Sequence, residues 1–204
     1  PGYKSKKRLN TAFKFGSKDG DVAKGAELAM KTVNRNFQMN IERYVVVNIH
    51  GLADIIEALG GVEMDITEAE KDQINHNVWS QLQIAHENGW DESNLTSTNQ
   101  YLYEYGENVH LNGRQALAYA RIRKIDSDWE RTNRQRKVLV AMMEKMRGTN
   151  AMQLLQLGMT LQQYFETNMT LEEIIGTADK VLNSGLDGAE TMVVPVTDTY
   201  VQET

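Results

Sequence analysis

The stretch YVVVNIHGLADIIEALGGVEMDI, residues 44–66, decides the fold class. Tyr44–Ile49 is a β-branched run that reads as a strand buried on both faces. His50-Gly51 leads into a short helix over Leu52–Leu59. Gly60-Gly61 ends that helix with the positive φ a stop requires. Val62–Ile66 alternates apolar and polar residues and reads as a second strand. Strand, helix and strand in such quick succession point to an α/β domain.

The flanks extend the pattern. Upstream, Val22, Ala26, Ala29, Met30, Val33 and Phe37 recur at helical spacing, with Asp19 and Asp21 as capping candidates. The opening residues, Pro1 to Arg8, are loop-like. Downstream, Thr67 and Glu70 have capping-box spacing before a helix over Ala69–Ala85. Residues 88–106, rich in Asn, Ser, Thr and Gly, read as an irregular surface excursion. Arg114–Ile122 predicts a helix whose end runs toward extended backbone. Trp129–Arg147, Met152–Phe165 and Leu171–Asn183 predict three further helices, the last opened by a Thr170–Glu173 capping box. Glu190–Val196 closes as a strand. The expected architecture is one α/β domain over residues 1–204, a central mixed β-sheet flanked by helices on both faces. Three strands are few for so many helices, so further N-terminal strands are expected to precede Pro1.

Composition narrows the function classes. The chain has 204 residues, 41% apolar and 25% charged, which suits a packed domain rather than a disordered tail. It contains no cysteine, which excludes disulfides, thiolate-bound zinc and a thiol nucleophile. No apolar run approaches the ~18–20 residues of a membrane span. The net charge of −6 is wrong for a protein that coats nucleic acid. Against that background, Arg121–Lys137 holds Arg121, Arg123, Lys124, Arg131, Arg134, Arg136 and Lys137 against Asp126, Asp128 and Glu130. A local positive patch in an acidic chain suggests an anionic guest.

The spacing inside that patch is informative. Arg121 and Arg123, two apart on extended backbone, leave from one face. Their planar donor forks suit phosphate oxygens. Ser127 and Glu130 have capping-box spacing at the start of the following helix, whose free amides and positive dipole end make a ready anion site. Asp128, Arg131 and Gln135 share about 60° of that helix. The same face continues as Leu139, Met142 and Met146, a predicted core stripe. Polar groups on a buried face need partners or a ligand. Arg134 projects about 100° away from the group. Two readings fit: a phosphate-binding site, or a solvated basic face with Asp128 and Arg131 as an ordinary i,i+3 pair.

Three ordered motifs resemble the LytR–CpsA–Psr family. They are Gln115-Ala116-Leu117-Ala118-Tyr119-Ala120-Arg121-Ile122-Arg123 followed by Asp128-x-x-Arg131-x-x-Arg134-Gln135-Arg136; Arg8-Leu9-Asn10-Thr11-Ala12-Phe13; and Tyr44–Ile66 with its Gly60-Gly61-Val62 turn. The likeness spans about residues 1–147. It implies an enzyme on the extracytoplasmic face of the bacterial membrane, held by an N-terminal anchor. Such enzymes are phosphotransferases that move a secondary cell-wall glycopolymer (teichoic acid, capsule) from a polyprenyl-pyrophosphate carrier to peptidoglycan, with Mg²⁺ or a similar divalent cation.

By that resemblance Arg121 and Arg123 clamp the pyrophosphate, and Arg131 and Gln135 complete the clamp. Asp128 orients Arg131 or assists acceptor or metal. Arg134 and Asn10 are secondary substrate contacts. Glu130 stands where many members have Gly, and the family's metal-binding aspartates would precede Pro1, so no metal ligand is expected in this chain. The alternative function is a non-catalytic module that binds polyprenyl phosphate or an anionic glycan, without nucleic acid as partner. His50, His76, His86 and His110 are too dispersed for a zinc site. Met142, Met143 and Met146 read as core filling rather than a lipid box. Trp79 and Trp90 read as packing residues or as a stacking surface for a sugar.

Overall fold

The computed structural model describes residues 9, 11–87, 100–125, 127–147 and 151–183. The opening loop, Asn10, most of the 88–106 excursion with Trp90, Asp126 and the expected strand at 190–196 lie outside the described residues, as do the side chains of His50, His86 and Asp128. The chain runs α1 (Thr11–Gly16), α2 (Val22–Phe37), β1 (Val45–Val47), α3 (Ile49–Ala58), β2 (Val62–Ile66), α4 (Glu68–Glu87) and β3 (Gly106–Leu111). It continues with α5 (Gly113–Ala120), α6 (Asp128–Met146), α7 (Ala151–Leu161), a single 3₁₀ turn, β4 (Phe165–Thr167) and α8 (Leu171–Asn183).

The α/β class stands, but the strands pair differently from the expectation. Among the described residues they form two antiparallel ladders, β1 with β4 and β2 with β3, rather than one central mixed sheet. In the second ladder Val62 faces Leu111, Glu63 faces His110 and Met64 faces Val109, with a register shift before Ile66 meets Gly106. Val62, Met64 and Ile66 point into the core while Glu63 and Asp65 face out. That period-2 pattern is why β2 was readable.

β1 is a correction. Val45 is 52% exposed and Val47 37%, so this strand is not buried on both faces. Among the described residues it pairs along one edge, with the three residues of β4, in the register Val45 to Thr167 and Val47 to Phe165. The next helix also starts earlier than expected. Asn48 takes the N-cap, its side chain accepting from the Gly51 N–H at 2.7 Å, which pulls Ile49 to Gly51 into α3. The Gly60-Gly61 stop is as read, with φ of 77° and 79°.

α5 is the centre of the molecule. Gln115 through Ala120 are all buried, and α5 packs against α3, α4, α6 and β3. A helix buried all round needs small residues where neighbours approach. Ala116, Ala118 and Ala120 supply them, with Tyr119 filling the remaining volume. Asn112 and Gln115 form a capping box at its start. On α6 the buried stripe is Arg134, Val138 and Met142, with Ala141 partly buried. Leu139, expected in that stripe, is 53% exposed. The stripe is turned so that it passes through an arginine.

Candidate functional site

The site is built on the junction between α5 and α6. α5 ends at Arg121, whose N–H donates back to Ala118 O, and the Ile122 N–H donates to Tyr119 O at 3.1 Å. The chain then leaves the helix. Ile122 is fully buried, while Arg121 and Arg123 on either side are exposed. Arg121 keeps helical backbone (φ −99°, ψ −1°), so the two arginines do not leave from the extended stretch that their spacing suggested. They form a short ridge.

α6 grips this ridge from below. Arg134 is 3% exposed, and its Nη2 donates to the Ile122 carbonyl at 3.2 Å. Its Nη1 faces Glu70 Oε1 on α4 at 3.8 Å. The other Glu70 oxygen accepts from the Thr67 N–H at 3.0 Å and hydroxyl at 2.9 Å, while Thr67 Oγ1 accepts from the Glu70 N–H. A capping box at the start of α4 thus also supports a buried cation beneath Ile122. One turn-face away, Gln135 Nε2 donates to the Ala120 carbonyl at 3.5 Å. Two consecutive residues of α6 therefore hold the carbonyls that flank Arg121.

The start of α6 lies at the far end of the ridge. Ser127 is the N-cap, its side chain accepting from the Glu130 N–H, and Arg131 N–H donates to Ser127 O at 3.2 Å. Its remaining first-turn amides and positive dipole end favour an anion. Arg131, in the first turns of α6, is half-buried. Lys124 extends the basic stretch and its Nζ meets His76 Nε2 of α4 at 2.9 Å.

The expected residues are distributed as follows. Arg121 and Arg123 sit on the ridge, Arg131 on the first turns of α6, and Gln135 beneath the ridge. Arg134 is not placed to touch a ligand: it is a buried strut. The backbone of Asp128 opens α6, but its side chain and Asn10 lie outside the described residues. Glu70 and His76 were missed. The Thr67–Glu70 spacing signalled a cap, but nothing local shows its second partner. A cleft of about 660 Å³ runs beside the later turns of α6, lined by Glu63, Asp65, Arg136, Lys137, Val140 and Lys145 among others, and none of the ridge residues lines it. Among the described residues no group of three His, Cys, Asp or Glu could hold a metal ion, so these residues do not by themselves fit the expected magnesium.

An α/β domain whose central helix runs into exposed arginines, near the start of a further helix, presents donors and positive charge of the kind that suit an anion. The chain belongs to the LytR_cpsA_psr family, which it matches over residues 1–204. It is 28% identical over 202 residues to the polyisoprenyl-teichoic acid–peptidoglycan teichoic acid transferase TagV of Bacillus subtilis, covering 97% of this chain and 44% of that protein. The corresponding transferase TagU of Enterococcus faecalis is 31% identical over 154 residues, covering 74% of this chain and 39% of that protein. The chain thus spans less than half the length of these relatives. The crystal structure of Bacillus subtilis TagV superposes with a TM-score of 0.60 at 24% identity, over 88% of this chain and 58% of that one, which establishes the shared fold.

Proposed function

We propose that this chain is the arginine-bearing part of a phosphotransferase that moves a polyprenyl-pyrophosphate-linked cell-wall glycopolymer to peptidoglycan on the extracytoplasmic face of a bacterial membrane. The observation that carries the reading is the strutted ridge Arg121-Ile122-Arg123 beside the start of α6. The names of the TagV and TagU relatives give the substrate class.

In the reaction, an acceptor sugar hydroxyl attacks the phosphorus that bears the glycan. The phosphoanhydride P–O bond breaks, polyprenyl phosphate leaves with the bridging oxygen, and the hydroxyl proton passes to solvent. Negative charge grows on the departing phosphate as that bond lengthens. Arg121 and Arg123, held before substrate arrives, meet that charge without a reorganisation cost. Arg131 and the first-turn amides of α6 bind the second phosphate. A divalent cation would draw its ligands from outside the described residues and would add further charge neutralisation.

The test is transfer of a polyprenyl-pyrophosphate glycan to peptidoglycan by a protein containing this chain. Arg121→Ala and Arg123→Ala are each expected to lower kcat/KM by about 10²–10³-fold, the usual cost of losing one donor to developing charge. Both residues are exposed, so melting temperatures should stay near that of the parent. Tight lipid binding without any transfer by the parent would instead favour a binding module.

A further inference from the structure

Large apolar side chains stand in solvent around the ridge. Trp79 of α4 is 51% exposed, Ile125 40% and Trp129 43%. Trp79 is far from the ridge in sequence but not in space. It stacks on His76, with ring centroids 6.4 Å apart and planes at 28°. His76 in turn meets Lys124 Nζ at 2.9 Å. Ile125 follows Lys124 directly, and Trp129 is the second residue of α6. The loop between α5 and α6 thus carries exposed Arg121, Arg123 and Lys124, with Trp79 linked to Lys124 through His76 and with exposed Ile125 and Trp129 next along the chain.

Single exposed hydrophobics are ordinary on protein surfaces. This combination is not scattered. Indole rings partition to the headgroup level of a bilayer, an aliphatic side chain reaches the acyl boundary, and clustered Lys and Arg bind anionic headgroups. A sugar-stacking platform also uses tryptophan, but it gains little from an exposed isoleucine or from three cations. Charge supplies an orientation as well. The chain carries −6 overall, yet the loop that follows α5 exposes Arg121, Arg123 and Lys124 together. An anionic surface therefore attracts this end of the molecule and repels the rest.

We propose that Trp79, Lys124, Ile125 and Trp129, around the arginine ridge, form a docking surface for an anionic lipid bilayer. Docking would set the ridge at headgroup level, where a polyprenyl-linked donor is presented, so it extends the proposed function without requiring turnover.

Its test needs no donor. The 204-residue chain is co-sedimented with phosphatidylcholine vesicles containing about a third phosphatidylglycerol, and with pure phosphatidylcholine, at low and high salt. Binding is expected to the anionic vesicles only, to weaken with salt, and to fall at least about tenfold in the Trp79→Ala/Trp129→Ala double variant. In a Trp90→Phe background, emission from Trp79 and Trp129 should shift to the blue on vesicle addition and be quenched by lipids brominated along the acyl chain. Equal binding by parent and double variant, or no vesicle binding at all, overturns the proposal. So does an emission change with a soluble amino-sugar disaccharide but none with vesicles, which assigns the two indoles to a glycan. Loss of vesicle binding in a chain that still supports transfer would sink the docking surface alone. Vesicle binding without transfer would sink the transferase reading alone.

Discussion

A buried guanidinium must have its charge and donors answered, because desolvation otherwise outweighs whatever it contributes. Arg134 draws on the Ile122 carbonyl for Nη2 and on Glu70 for its charge, and Glu70 is itself held by Thr67. Glu70→Ala is expected to lower unfolding free energy by about 3 kcal/mol, since it strands a buried cation and removes a cap together. Urea denaturation measures it, and a loss within about 0.5 kcal/mol, the surface-substitution range, would mean the pair is inert. Glycine at 113 is a second fixed choice. A Cβ there would run into the Ala53 carbonyl of α3, and the Gly113 N–H donates to Glu57 Oε2 at 2.9 Å. The atoms such a Cβ would meet, the Ala53 carbonyl and the Glu57 backbone nitrogen, belong to packed backbone, so Gly113→Ala should cost about 2–3 kcal/mol by overpacking, read from the same denaturation curves. The exposure of Arg121 and Arg123 is a local matter, though it comes through a helical turn at Arg121 rather than the extended backbone their spacing suggested. The burial of Arg134 is not, because it depends on Glu70, which only tertiary folding brings near.

Helix starts carry most of the element-level information. Thr67–Glu70 and Thr170–Glu173 were readable because a capping box spans three residues, and both are formed. Glu173 does more than cap. The Thr170 N–H and then the Arg43 guanidinium, at 2.6 Å, hold its carboxyl below the ordinary carboxylate range. The Lys24 N–H does the same for Asp21 at the start of α2. A carboxylate whose pKa is lower folded than unfolded stabilises above its unfolded value, and that contribution disappears as pH falls through the folded value. Glu173→Gln should therefore flatten the loss of melting temperature between about pH 5 and pH 3, followed by circular dichroism. An unchanged acid limb would show that the cap is already open. β3 and β4 escaped the reading for the opposite reason. β4 lies where Met152–Phe165 read as a helix running to its end, and its strand identity comes from pairing with β1, with Asn168 holding Tyr44 N–H and Glu42 O. β3 begins at a glycine with φ of 126° and shows only Val109 and Leu111 as inward residues.

At the scale of the whole molecule, the core is organised about a helix rather than a sheet. α5 is enclosed by α3, α4, α6 and the β2–β3 ladder, and the residue that caps its end is the first arginine of the ridge. The end of the most buried element is thus where the proposed phosphate ligand would meet the protein. A group launched from such a position inherits the rigidity of the core, which is what pre-arranged charge stabilisation requires. The α/β class was legible because residues 44–66 announce it. The enclosure of α5 was only half legible, since Ala-Leu-Ala-Tyr-Ala is as consistent with a helix end as with a fully surrounded one.

The grip of α6 on the carbonyls of Ala120 and Ile122 separates two duties that a loop commonly combines. The backbone that aims Arg121 is anchored on both sides before the chain reaches Lys124. The linking residues that follow have no part in aiming it. Substitutions at Lys124 and Ile125 should therefore change what the loop touches while the backbone on either side of Arg121 keeps its place.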